Sequence, residues 1–156
     1  MTHILVGAIQ ATSTGGVTTD FYIDNVNGPA MARNISTRAH QAGRKAVLML
    51  GGAGYRNALV SATSSAYIAT FVTNLVNTMS SLGYDGIDVD WEPVLDSDKP
   101  ALLDLFRRLR AARPSMVITM PVMWINSNWE TVDPWYAQVA GVIVQINIMS
   151  YGMADN

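Results

Sequence analysis

Residues 85–92 read DGIDVDWE, and the way this stretch alternates decides the fold. Side chains along a β-strand point to opposite faces with a period of two, so Ile87, Val89 and Trp91 share one face while Asp88, Asp90 and Glu92 share the other. Asp85 stands at the start of the same stretch. In an ordinary half-buried strand the polar face looks at water, and on that reading the acids form a solvated edge. The flanking sequence separates that reading from an enclosed acidic face.

On the N-terminal side, Ser64 or Ser65 is placed to cap a helix in which Ile68, Phe71, Val72, Leu75, Val76, Met79 and Leu82 form one apolar stripe ending at Gly83. On the other side Asp98 and Pro100 open a second helix, with Leu102, Leu105, Phe106 and Leu109 inward and Arg107, Arg108, Arg110 and Arg113 outward, closed by Pro114. Further out, HILVGAI (3–9) and KAVLMLGG (45–52) read as strands. Between them lie the TSTGG loop, an irregular DFYIDNVNGP, and a helical repeat of Met31, Ile35, Ala39 and Ala42 stopped at Gly43. Towards the C-terminus come a strand MVITMPV (116–122), a loop WINSNWETVDP, a short helical turn WYAQVAG, and a strand VIVQINIMSY (142–151).

Strands alternating with helices imply parallel pairing through right-handed crossovers, in a sheet that is either open or curled into a barrel. A sheet covered by helices on both faces reads as nearly continuous apolar residues. Here Gln145, Asn147, Met149 and Tyr151 alternate with Ile146 and Ile148, so the last strand also has a partly polar face. Polar groups on one face fit a barrel whose lumen they line, with catalytic groups near the C-terminal strand ends. The expected fold is α/β: part of a TIM (β/α) barrel, with about five parallel strands and one incomplete domain over 1–156.

The chain has 156 residues, 49% of them hydrophobic and 14% charged, which suits a buried core and excludes a disordered chain. A net charge of −2 and no run of Lys or Arg give no electrostatic case for nucleic acid or an anionic membrane. No cysteine is present, so disulfides and thiolate metal sites are excluded. MTHILVGAI lacks the pattern of an export signal, and no apolar run reaches the roughly 18 residues of a membrane span.

Acids two residues apart on one strand face are about 6–7 Å apart. At an effective dielectric near 20, two ionised carboxylates at that separation repel by roughly 2.5 kcal/mol, close to two pKa units. Three acids on one face therefore do not all stay ionised at neutral pH once water is thinned out, and one of them holds a proton. A protonated acid beside an ionised one is what glycosidic cleavage requires, because the departing oxygen must receive a proton. Glu92, last in the series and nearest the C-terminal end, is the expected acid, with Asp90 as the neighbour that holds charge or orients substrate. Calcium in a helix–loop–helix site fails on spacing, since Gly86 precedes the inner acids. Carboxylates alone leave magnesium open.

DGIDVDWE fits the D-x-x-D-x-D-x-E signature of glycoside hydrolase family 18, the chitinase family. LMLGG resembles the glycine-rich end of that family's third strand and QINIMSY its sixth-strand segment ending in Met-x-Tyr. The resemblance implies Glu92 as general acid and base. It implies Asp90 orienting the substrate's N-acetyl group for attack on the anomeric carbon, Asp88 sharing a proton with Asp90, and Tyr151 bonding the same acetamido group. Asp85 is left a structural role. Gly51, Gly52, Met120, Trp124, Gln145, Asn147 and Met149 would contact substrate, which would be chitin or N-acetylglucosamine oligosaccharide; no cofactor and no metal are implied. Two positions depart from the family pattern: Met49 stands where a serine is usual, and Gly152 where many members have aspartate.

By the same resemblance the chain holds strands two to six of an eight-stranded barrel that usually takes about 250 residues. Open edges and an uncovered lumen face imply a homodimer or larger assembly. The competing expectations are a lectin-like module that binds the sugar without turnover and an inactive, self-associating half-barrel. Trp124 and Trp129 are placed for stacking on sugars as well as for packing, Trp91 for packing against the helices, and Trp135 at the start of a helix. His3 and His40 have no acidic partner at ligand spacing in the sequence. Most of the nine methionines are gap-fillers, with Met120 and Met149 expected in the lumen.

Overall fold

The computed structural model describes residues 1–123 and 135–149. Its strands are β1 (His3–Ala11), β2 (Val17–Thr18), β3 (Lys45–Gly51), β4 (Gly86–Asp90), β5 (Val117–Met123) and β6 (Gln145–Met149). The helices are α1 (Asn27–Gln41), α2 (Arg56–Ala62), α3 (Ile68–Ser81), α4 (Lys99–Ala112) and α5 (Trp135–Val139). The sheet order is β2-β1-β3-β4-β5-β6, parallel throughout except for the antiparallel pair of β1 and β2.

From β1 onward each long strand pairs with the next long strand in the chain. A doubly wound sheet reverses direction at a switch point; this order never does, so right-handed crossovers leave every helix on one side. That is how a TIM barrel is wound, and the sheet is the corresponding part of one. One face buries Ile9, Leu48, Leu50, Ile87, Val89 and Ile118 against Phe71, Leu75, Leu105 and Phe106 of the helices. The opposite face is the lumen side. It carries one lateral row of Met49, Asp88, Thr119 and Gln145, and above it Gly51 beside Asp90 and Pro121 beside Asn147.

The helices keep to the expected stretches, with local differences. α3 begins at Ile68 and neither Ser64 nor Ser65 caps it through its side chain; instead the Ser64 carbonyl accepts the amides of Tyr67 and Ile68. α2 and the two-residue β2 had no periodic signal, being too short to show one. α1 buries the small residues Ala32, Ser36 and Ala39, while Met31 and Ile35 are only partly covered. Arg110 does not stay on the solvent face of α4. Its guanidinium donates to the carbonyls of Val142 (2.7 Å), Pro114 (2.8 Å) and Met116 (2.6 Å), tying the helix to the starts of β5 and β6.

Asp85 sits at the N-terminal end of the sheet. Its carboxylate takes the His40 ring at 2.7 Å, the Lys45 ammonium at 3.1 Å and the Ala46 amide at 2.9 Å. His40 therefore does have an acidic partner, brought from 45 residues away by the fold. Burial pushes the Asp85 carboxyl up, but bonds from His40, Ala46 and Lys45 outweigh it and hold the group below its ordinary range. No helix among the described residues is long and apolar enough to cross a membrane.

Candidate functional site

Asp88 and Asp90 arrive at the lumen by strand parity, and Glu92 meets Asp90 from the bend beyond the strand. β4 pairs with β3 through Leu48↔Ile87, Met49↔Asp88, Leu50↔Val89 and Gly51↔Asp90. The apolar members of that series are fully buried on the helix side, so Asp88 and Asp90 face the lumen; Glu92 follows two residues beyond the strand's last residue. The solvated-edge alternative is not what forms: Asp88 is 1% exposed and Asp90 6% exposed.

Asp88 accepts a short hydrogen bond from the Thr119 hydroxyl on β5 and a longer one, 3.3 Å, from the Asn147 amide on β6. Gln145 donates to the Asn147 carbonyl oxygen and so fixes the amide that faces Asp88. Burial raises the Asp88 carboxyl, and these two donors offset part of that rise. Asp90 has less help. Its Oδ1 is buried without a partner among the described residues. Burial first, then a hydrogen bond with Glu92, then the charges of Glu92 and Asp88 push its pKa up to about 8. The proton, expected on Glu92, instead rests on Asp90 at neutral pH, between two other acids.

Two glycines make room for this arrangement. Gly51 has φ +98° and Gly52 φ +110°, backbone that L side chains rarely adopt. A Cβ on Gly51 would lie 2.3 Å from the Asp90 carbonyl oxygen. That same oxygen accepts the Gly52 amide at 2.8 Å, which continues the β3–β4 ladder past the strand end. What the structure shows of both residues is this backbone role.

The loop carrying Glu92 is moored from below. Trp91 is buried, and its indole N–H donates to Asp98 Oδ2 at 3.3 Å. Asp98 also accepts two bonds from the Arg56 guanidinium, 2.8 and 2.7 Å, and the Leu95 amide at 3.0 Å. Asp98 precedes α4 but does not cap it, because its carboxylate is committed to this network. Burial raises its pKa, and the Arg56 pair, the Leu95 amide and the Trp91 indole more than reverse that, leaving it below the ordinary range. Trp91 packs on the helix side, as expected.

The lumen side holds a hollow of about 250 Å³ walled by Met49, Asp88, Asp90, Pro121, Asn147 and Met149. Of the residues expected to contact substrate, Asn147 and Met149 line it, and Gln145 reaches it through Asn147. Met120 does not: it is 2% exposed in the core between sheet and helices, paired with Ile146 on β6. The expectation that it lines the lumen is corrected by parity, since Thr119 and Pro121 on either side of it take the lumen positions. Tyr151, Trp124, Trp129 and Gly152 lie outside the described residues. Thr119 and Gln10 were missed. Thr119 is legible only once β5 is set in register with Asp88, and Gln10 only once β1 is known to extend to Ala11. Among the described residues no group of three or more His, Asp or Glu is placed to hold a metal ion.

A model of the glycosyl hydrolases family 18 matches residues 1–156. No curated protein sequence matches the chain. Among solved structures, a chitinase from Rhizomucor miehei superposes with a TM-score of 0.77 at 23% identity, over 97% of this chain and 51% of that one. The ChiA C-terminal domain of Legionella pneumophila gives 0.71 at 22% identity, over 94% and 50%. The group IV chitinase of Ostrinia furnacalis, solved with allosamidin, gives 0.80 at 19% identity, over 97% and 43%. At these identities the likeness is one of fold. The chain spans about half the length of the solved structures it matches.

Proposed function

We infer, for a chain that belongs to family 18 of the glycosyl hydrolases, that its lumen acids hydrolyse β-1,4-linked N-acetylglucosamine with retention of configuration. The observation that carries this reading is Asp90, buried beside Glu92 and Asp88 with its pKa raised to about 8. On binding, the proton that Asp90 holds in its hydrogen bond with Glu92 passes to Glu92, and the Asp90 carboxylate accepts the acetamido N–H of the bound sugar and holds its carbonyl oxygen under the anomeric carbon. The acetamido oxygen then attacks that carbon as Glu92 gives its proton to the leaving oxygen. Water, deprotonated by Glu92, opens the cyclic intermediate in the second step.

Asp88 serves as the reservoir on the far side. Its donors, Thr119 and Asn147, favour its ionised form and so leave the proton with Asp90. Tyr151, Gln145, Asn147, Met149, Gly51 and Gly52 complete the proposed sugar site. Neither step calls for a cofactor.

A direct test compares aryl glycosides of chitobiose and cellobiose, which differ in the acetamido group. Turnover confined to the chitobioside supports attack by the substrate's own oxygen; equal turnover of both overturns it.

Two finer statements belong to the same reading. Self-association is supported by Ile146 and Ile148, 39% and 51% exposed on β6, a strand with no partner on its other side among the described residues. Binding without turnover is the alternative, favoured by a hollow left open by a partial barrel; oligosaccharide binding with no product release would establish it.

A further inference from the structure

The end of β1 carries features that the acids do not use. Gln10 is 6% exposed, and its amide nitrogen donates to the Tyr22 hydroxyl at 2.6 Å and to the Gly51 carbonyl at 3.0 Å. Its Oε1 is buried without a partner among the described residues. Ile9 pairs with Leu50, and Gly51 pairs with Asp90. Gln10 and Asp90 therefore stand at one height on neighbouring lumen positions, separated only by the side-chain-less Gly51. Two strand spacings put them about 10 Å apart.

Tyr22 is unusual in its own right. It and Phe21 are the two non-glycine residues with positive φ, 58° and 51° among the described residues, a conformation that costs free energy and persists only when the surroundings fix it. Phe21 is buried, and that anchors the turn from beneath. The Tyr22 hydroxyl is held by Gln10, and burial together with the neighbouring Tyr55 hydroxyl keeps its phenol above the ordinary pKa. Yet the residue is 64% exposed. An aromatic ring whose polar tip is tied to a buried amide while its body stands in water has few rotamers left to lose on binding.

We propose that Tyr22, moored by Gln10, is a stacking platform for a second pyranose ring of a bound oligosaccharide, on the β1 side of the acids. This rests on the oligosaccharide reading above, and it adds a subsite that the acids do not require. A tyrosine face offers apolar surface to the C–H face of a pyranose.

The test is calorimetric titration of chitobiose and chitotetraose into wild type, Tyr22→Ala, Tyr22→Phe and Gln10→Ala, with thermal unfolding to confirm that each variant is folded. The tetramer is expected to bind wild type more tightly than the dimer. Tyr22→Ala should remove most of that advantage, roughly a five- to tenfold loss for the tetramer and little change for the dimer. Tyr22→Phe, which keeps the ring, should retain most of the advantage, and Gln10→Ala, which frees it, should fall between. Tetramer affinity unchanged in Tyr22→Ala overturns the subsite while leaving the oligosaccharide reading intact. A folded wild type that binds neither length overturns both.

Discussion

Gly51 and Asp90 are register partners on adjacent strands, and they approach so closely that a Cβ on Gly51 would sit 2.3 Å from the Asp90 carbonyl oxygen. The contact is backbone against backbone, so no side-chain rotation relieves it. Gly51→Ala must therefore displace β4 at Asp90 as well as hold an L side chain at φ +98°. We expect a loss of about 1–3 kcal/mol, read as a lowered unfolding midpoint, together with weakened oligosaccharide binding.

Asp90 also sets a pH dependence of stability. Its folded-state pKa of about 8 lies above the ordinary value of 3.8, so the native state keeps a proton that the unfolded chain releases. The stabilisation is fully present below about pH 4, shrinks as pH rises, and is gone above about pH 8. Asp88, also raised, slopes the same way. Asp90→Asn should then be more stable than wild type at pH 8 and nearly equal to it at pH 4, while losing activity. Denaturant melts at the two pH values measure this.

Asp98 slopes in the opposite direction. Its pKa is held below the ordinary range by Arg56, the Leu95 amide and Trp91 against the upward push of burial, so its contribution is present above about pH 4 and lost as pH falls through its depressed value. Asp98→Asn should melt below wild type at pH 7, with the gap closing at pH 3. Because Trp91 adjoins Glu92, the variant should also lower kcat more than it changes oligosaccharide affinity.

The exposed β6 edge bears on assembly. Ile148 and Ile146 present apolar surface on a strand that has no partner on its outer side among the described residues. Light scattering after size exclusion should give at least twice the 16.9 kDa of one chain, and Ile148→Lys should shift the mass toward one chain. A wild type that elutes as a single chain at micromolar concentration contradicts the self-association proposal.

Much of the architecture can be read from residues 85–92 alone. Period-two alternation puts Ile87 and Val89 on one face and Asp88 and Asp90 on the other, and the helices around it have long apolar stripes. What the sequence hides depends on register between distant strands. Thr119 becomes a partner of Asp88 only when β5 is set beside β4, and the assignment of Met120 to the lumen erred by one position, which in a strand reverses the face. The Arg56–Asp98–Trp91 network and the pairing of His40 with Asp85 join residues far apart in the chain, beyond what any local pattern encodes. Gln10 fell one residue past the expected end of β1, and Tyr22 lies in a stretch with no periodicity.

The central claim is that Glu92, with the proton it shares with Asp90, carries glycosidic cleavage. A fluorogenic chitobioside offered to wild type and to Glu92→Gln tests it most directly, with calorimetry confirming that both still bind oligosaccharide. The account predicts turnover by wild type that falls at least about 100-fold in the variant, in keeping with the loss of a general acid. Turnover by Glu92→Gln equal to that of wild type would contradict it.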